Sequence, residues 1–229
     1  NCPGQNTDAV AELAIGLLIA ADRRIVNATD DLRAGKWKKS EYGKARGLKG
    51  RTLGIVGLGS IGSAVARRAK GLDMNVIAWS RSLTPQKAEE LGIGYCAKLE
   101  ELAEKADAVS VHVAAKKETN NLVGKDFFAR MKKGAILINT SRGEVVDTAA
   151  LKAAIAEKGL RVGLDVFAGE PEKGSAEFDP SLLKLGTVYG TPHIGASTEQ
   201  AQRAIAMETA KIIRSFLTEE TVPNVVNIA

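Results

Sequence analysis

The sequence predicts a doubly wound α/β domain on a parallel sheet, and three observations predict it. From about residue 50 onward, short apolar runs alternate with amphipathic helical segments. The runs are apolar almost without interruption, the mark of strands buried on both faces. The first run passes into its helix through a Gly-x-Gly-x-x-Gly turn, Gly57 to Gly62.

The elements follow in order. Residues 8–26 read as a long helix, because Val10, Leu13, Ala14, Leu17, Leu18, Ala21 and Ile25 recur at helical spacing and Thr7 or Asp8 can cap its start. From Asn27 to Gly50 the chain is polar and irregular, and reads as an arm lying on another surface. Strands are expected at 52–56, 75–79, 108–113, 135–139, 161–166 and 187–189. Helices are expected at 61–70, 85–91, 99–105, 125–131, 148–157 and 197–217. No internal repeat or low-complexity segment interrupts this alternation.

Composition bounds the possibilities. Of 229 residues, 45% are hydrophobic and 26% charged, which excludes a disordered chain. No apolar run approaches the roughly 20 residues of a membrane span, so no membrane partner is expected. The first residue is Asn1, no signal peptide is recognisable, and the chain reads as a piece of something longer. Cys2 and Cys96 have neither metal-ligand spacing nor the density of a disulfide framework, so a cytoplasmic protein without a metal is expected. The net charge of +5 is modest. Basic residues are densest at Lys36, Lys38, Lys39, Lys44, Arg46, Lys49 and Arg51, with Trp37 and Tyr42 among them. A nucleic-acid stripe predicts steep salt dependence; the reading preferred is a solvated arm, with no nucleic-acid partner.

In the turn, Gly57 permits the tight bend, Gly59 lets backbone approach a pyrophosphate, and Gly62 lets the helix pack closely on the sheet. Ser60, Ile61 and Gly62 open the helix, where free N–H groups and a partial positive charge suit phosphates. This is the dinucleotide-binding arrangement of a Rossmann domain. At the tip of the second strand, where NAD sites place an acid against the ribose hydroxyls, stand Ser80, Arg81 and Ser82. A carboxylate would repel a 2′-phosphate and Arg81 would attract one. NADP(H) is therefore favoured, with NAD(H) possible if Arg81 merely stacks on adenine. Ligands gather at the carboxyl ends of parallel strands, which makes His112, the run Asn139-Thr140-Ser141-Arg142-Gly143, Asp165, Glu170 and His193 candidates. Position alone does not rank them.

Four motifs occur in order: Gly57-x-Gly59-x-x-Gly62, Asn139 to Gly143, Asp165-Val166-Phe167-Ala168-Gly169-Glu170-Pro171, and Thr191-Pro192-His193-Ile194-Gly195. Together they resemble the D-isomer-specific 2-hydroxyacid dehydrogenases over nearly the whole chain, as do Asn1-Cys2-Pro3-Gly4 and Val10-Ala11-Glu12. Gly35-Lys36-Trp37 and the closing Val222 to Asn227 lean toward the phosphoglycerate dehydrogenase branch.

The resemblance implies that Arg142 binds the carboxylate and carbonyl of a 2-oxo acid. It implies that His193 exchanges a proton with the substrate oxygen and that Glu170 orients the imidazole and favours its protonated form. Asp165 would orient the nicotinamide carboxamide, while Thr140 and His112 would stand on the cofactor side. It further implies three parts: an interdomain helix and dimer arm (1–50), a dinucleotide-binding core (51–195), and a helix and tail (196–229) returning to a substrate domain most of which is missing. The fragment would then bind cofactor and turn over a glyoxylate, hydroxypyruvate or phosphoglycerate-type substrate poorly, and would pair as a homodimer through the first helix and the Trp37 arm. Where the family has proline after the His112 strand this chain has Val113-Ala114-Ala115, so that loop is expected to differ. The alternative reading, from another functional class, is a dinucleotide-sensing, corepressor-like interaction protein on the same scaffold.

Overall fold

The computed structural model describes residues 1–171, 176–219 and 221–226. The N-terminal region contributes α1 (Thr7–Arg23), α2 (Ile25–Arg33) and α3 (Lys39–Tyr42). The alternating part runs β1 (Thr52–Val56), α4 (Ser60–Gly71), β2 (Asn75–Trp79), α5 (Pro85–Glu90), β3 (Gly94–Tyr95), α6 (Leu99–Lys105), β4 (Ala108–Val111), α7 (Lys125–Arg130), β5 (Ile136–Asn139), α8 (Thr148–Lys158), β6 (Arg161–Leu164), β7 (Val188–Gly190) and α9 (Glu199–Glu219). Single turns of 3-10 helix occur at Lys117–Thr119, Gly143–Val145 and Leu183–Leu185.

The strands form one sheet in the order β3-β2-β1-β4-β5-β6-β7, every pairing parallel. The order reverses between β1 and β4, and in such sheets the crevice at the reversal is where ligands bind. Alternate side chains divide the core. Leu53, Ile55, Ile136 and Ile138 pack under α1 and α4, whereas Val56, Val109, Leu137 and Val162 pack under α6, α7 and α8. Gly54 lets α6 approach β1, since a β-carbon there would lie 2.6 Å from Leu102 Cδ2.

Several expectations change in detail. The helix expected over 8–26 breaks at Arg24, which adopts left-handed backbone (φ +54°), and α2 occupies part of the stretch read as irregular. Asn6, not Thr7 or Asp8, sits at the N-cap of α1, and its side chain makes no capping bond. The strands at β4 and β6 stop two residues early, where the chain leaves the sheet's carboxyl edge. The two-residue β3 was missed because its Gly-Tyr sequence carries no periodicity. The apolar stripe of α1 is buried against the domain's own sheet: Ala14, Leu17, Leu18 and Ala21 join the core, and Leu17 Cβ would lie 2.9 Å from a β-carbon at Gly163. Asn227, at the end of the closing motif, lies outside the described residues. Among the described residues no helix is long and apolar enough to cross a membrane.

The amino edge of the sheet is held by charge. Arg51 Nη1 donates to Asp22 Oδ1 at 2.6 Å, both side chains being buried. Gly47 N–H donates to the other Asp22 oxygen, and Arg51 also reaches the carbonyls of Gly47 and Asp107. Arg161 donates to the Asp22 carbonyl at the end of α1. Part of the basic run is therefore paired within the chain, since Lys38 also meets Asp31 and Lys49 meets Asp73. Removing one partner of a buried pair leaves an uncompensated charge. Asp22→Ala is expected to lower unfolding free energy by about 3–5 kcal/mol. Glu90→Ala, breaking an exposed pair with Lys87, should cost no more than about 1 kcal/mol. Urea titrations of both variants check this.

Candidate functional site

The glycine turn is shaped by close approach. Gly57 N–H donates to the Trp79 carbonyl at 2.8 Å, fastening the turn to β2. Gly57 has φ +94°, and a β-carbon on it would sit 2.6 Å from the His112 carbonyl oxygen. At Gly62 a β-carbon would sit 2.1 Å from the Gly57 carbonyl oxygen, so only glycine lets α4 start here. Gly59 faces open space, with no atom within 4 Å of where a β-carbon would stand, and no side chain caps the helix. The first helix-closing bond is Ser63 N–H to the Gly59 carbonyl. The N–H groups of Ser60, Ile61 and Gly62 have no acceptor among the described residues. This is a cradle for an anion.

Beside it lies a cleft of about 170 Å³, with Trp79 at the end of β2 and Ser80 and Arg81 after it on one wall, and His112, Val113, Ala114 and Lys116 after β4 on the other. No carboxylate lines it. Ser82 is exposed just beyond this lining. Lys116 was not foreseen as part of the site; its only signal in the sequence is its place on the loop where the family pattern is broken. Thr119 stiffens that loop, because its buried hydroxyl donates to the Ala114 carbonyl (2.7 Å) and accepts from Lys116 N–H (2.8 Å). His112 Nε2 is 2.8 Å from Ser110 Oγ, and its buried Nδ1 has no partner among the described residues. Burial pushes this ring down to about 4, so it is neutral near pH 7. The buried hydroxyl of Thr140, at the end of β5, is also without a partner there.

At the other end of the same sheet edge stand the polar residues. Asn139 shapes its turn: Nδ2 donates to the Arg142 carbonyl, and Oδ1 accepts from the N–H and hydroxyl of Ser141. Arg142 is exposed, its Nη1 bonds the Ser141 carbonyl, and it forms no ion pair among the described residues. Gly143 packs the turn onto the β6 exit, where a β-carbon would fall 2.1 Å from the Phe167 carbonyl carbon. Three residues farther on, Glu170 Oε1 accepts from His193 Nδ1 at 2.6 Å.

Asp165 is buried and holds the loop that carries His193. Its Oδ1 accepts from the Thr191 hydroxyl (2.6 Å) and Ile194 N–H (2.9 Å), its Oδ2 from Gly195 N–H (2.8 Å), and its carbonyl from His193 N–H (2.8 Å). His193 itself adopts φ +53°. The structure thus joins His193 to Glu170 directly and Asp165 to the loop that carries His193. Arg142 enters through the Gly143 contact, and no bond from it to His193 or Glu170 is seen.

Comparisons with known proteins agree with this architecture. Residues 15–195 match the family model described as the D-isomer specific 2-hydroxyacid dehydrogenase, NAD binding domain. A glyoxylate reductase of Thermococcus litoralis is 46% identical over 99% of this chain and 69% of its own length. A D-3-phosphoglycerate dehydrogenase of Methanocaldococcus jannaschii is 41% identical over 100% of this chain, which spans only 43% of that protein. The crystal structure of D-lactate dehydrogenase with NAD+ from Lactobacillus jensenii superposes with a TM-score of 0.87 at 29% identity, covering 100% of this chain and 71% of that one.

Asp165→Ala removes the acceptor of three donors, two of them backbone N–H groups. A loss of about 3 kcal/mol is expected, together with a changed environment for His193. Thermal unfolding and the NMR shifts of the His193 ring protons check the two effects.

Proposed function

The chain belongs to the D-isomer specific 2-hydroxyacid dehydrogenase family through its NAD binding domain, and on that premise we propose that it carries the cofactor site and acid–base pair of an oxidoreductase acting on a small 2-oxo or D-2-hydroxy acid. The observation that carries this reading is the His193–Glu170 bond at 2.6 Å, on the same carboxyl edge of the sheet as the Gly57–Gly62 cradle. The residues fit a dinucleotide: Gly59 leaves open space at the start of the helix, and two buried polar atoms, on His112 and Thr140, have no partner among the described residues along the edge.

A bound nicotinamide would supply or accept the hydride. Ser60, Ile61 and Gly62 would hold the pyrophosphate through their backbone N–H groups. Arg142 would grip the substrate carboxylate and carbonyl through its planar fork. In the reducing direction His193 would donate a proton to the carbonyl oxygen as the carbon becomes a hydroxy carbon, and would take it back in oxidation. Glu170, bonded to Nδ1, would fix the ring so that Nε2 performs the exchange. Asp165 would hold the His193 loop while one oxygen lone pair reaches the carboxamide.

Selection of NADP(H) is supported by Arg81 and by the absence of a carboxylate in the cleft lining. The substrate class proposed, of glyoxylate or 3-phosphoglycerate type, follows the names of the relatives. A second cleft wall would be needed to exclude water and orient substrate, so the 229 residues alone are proposed to bind cofactor and turn over slowly. A two-fold dimer is proposed through Ile25, Val26 and Leu32 of α2 and Trp37, which is 80% exposed, because α1 is already covered by the sheet.

Two outcomes are expected. In the longest form of the protein that can be expressed, His193→Ala should lower kcat roughly 10²–10⁴-fold and leave dinucleotide affinity unchanged; full retention of 2-oxo acid reduction would refute the assignment. Sedimentation at micromolar concentration should give a dimer, which Trp37→Ala weakens.

A further inference from the structure

We propose that Lys116 is a second cationic anchor for the cofactor, meeting a 2′-phosphate from the wall opposite Arg81. The inference rests on the reading that this cleft receives the adenosine end of a nicotinamide dinucleotide.

The two cations reach the cleft from different strands. Arg81 stands two residues beyond β2 and Lys116 five beyond β4. β1 and its glycine turn lie between those strands, whose axes are therefore roughly 10 Å apart. Arg81 and Lys116 flank the turn. Neither forms an ion pair among the described residues, although Lys38, Lys49, Lys87, Lys105 and Lys132 all do. Both side chains are exposed, and the lining contains no acid to neutralise them.

Two like charges converging on one cleft repel each other. A dianion between them replaces that repulsion with two charge-assisted contacts. The nicotinamide, pyrophosphate and adenine offer no such group on this side of the ribose, whereas a 2′-phosphate does. The backbone of Lys116 is already fixed by the Thr119 hydroxyl, so only side-chain freedom is lost on binding. Lys117, next along the same loop, is equally exposed and does not line the cleft. It serves as a control for general charge.

The test is calorimetric titration of the chain with NADPH, NADH, adenosine 2′-monophosphate and inorganic phosphate. Lys116→Ala should weaken NADPH and adenosine 2′-monophosphate roughly five- to tenfold and NADH less than about twofold. Lys116→Arg should retain NADPH affinity, and Lys117→Ala should behave as the unaltered chain. Raising salt should weaken NADPH more in the unaltered chain than in Lys116→Ala. Equal loss for both dinucleotides, no loss for either, or the same loss in Lys117→Ala would overturn the role of Lys116. Binding of inorganic phosphate as tightly as the 2′-nucleotide would also overturn it, in favour of a general anion site. Failure of the unaltered chain to bind any dinucleotide would instead overturn the reading of the cleft itself.

Discussion

The arrangement of the candidate site depends on one buried anion. Asp165 follows β6 directly, and its carboxylate gathers the Thr191 hydroxyl and two successive backbone N–H groups from the loop after β7. That set of bonds holds His193 in a left-handed backbone conformation, which costs a residue with a β-carbon about 1–3 kcal/mol unless its surroundings impose it. The backbone that presents the imidazole is thus held by a carboxylate that does not touch the ring, while Glu170 bonds the ring itself. A carboxylate offers about four acceptor positions, and three are taken.

The same economy governs the sheet edge. Seven parallel strands end on one side, and the exits of β1 and β5 are tied to those of β4 and β6 by backbone proximity that a side chain would prevent. Gly57 lies under the His112 carbonyl, Gly62 under that of Gly57, and Gly143 against Phe167. The cradle and the acid–base pair belong to different strands but share this edge, so their separation is set by strand spacing. A reagent long enough to span them must lie across the carboxyl ends of β1, β4, β5 and β6.

Much of this was legible in the residues. Thr52–Val56 and Asn75–Trp79 were bounded to the residue, because apolar runs flanked by turn residues leave little freedom, and the amphipathic helix Leu99–Lys105 was bounded as closely. The glycine turn was legible because its context, strand before and helix after, was legible too. The break at Arg24 was not, since no glycine or proline marks it and the apolar spacing runs on to Ile25. Nor was the burial of α1. An amphipathic stripe says that a helix has a partner, without saying whether the partner is its own sheet or another chain. The bonds of Asp165 were hidden for a similar reason: they join residues 26 to 30 positions apart, and no local pattern records such a contact. Lys116 escaped notice because a single lysine on a polar loop differs from its neighbours only in where the loop goes.

The burial of α1 also has a bearing on how the chain reaches this state. Leu17 and its neighbours meet Ile136, Ile138 and Tyr189 in the core, residues synthesised well over a hundred positions later. At ribosomal speeds of 5–20 residues per second, roughly ten to thirty seconds pass before the last of those partners emerges. For that interval the first helix keeps much of its greasy side without its final cover. Truncation before β7 would leave α1 without the cover that Tyr189 gives it in the core, and so more prone to aggregate.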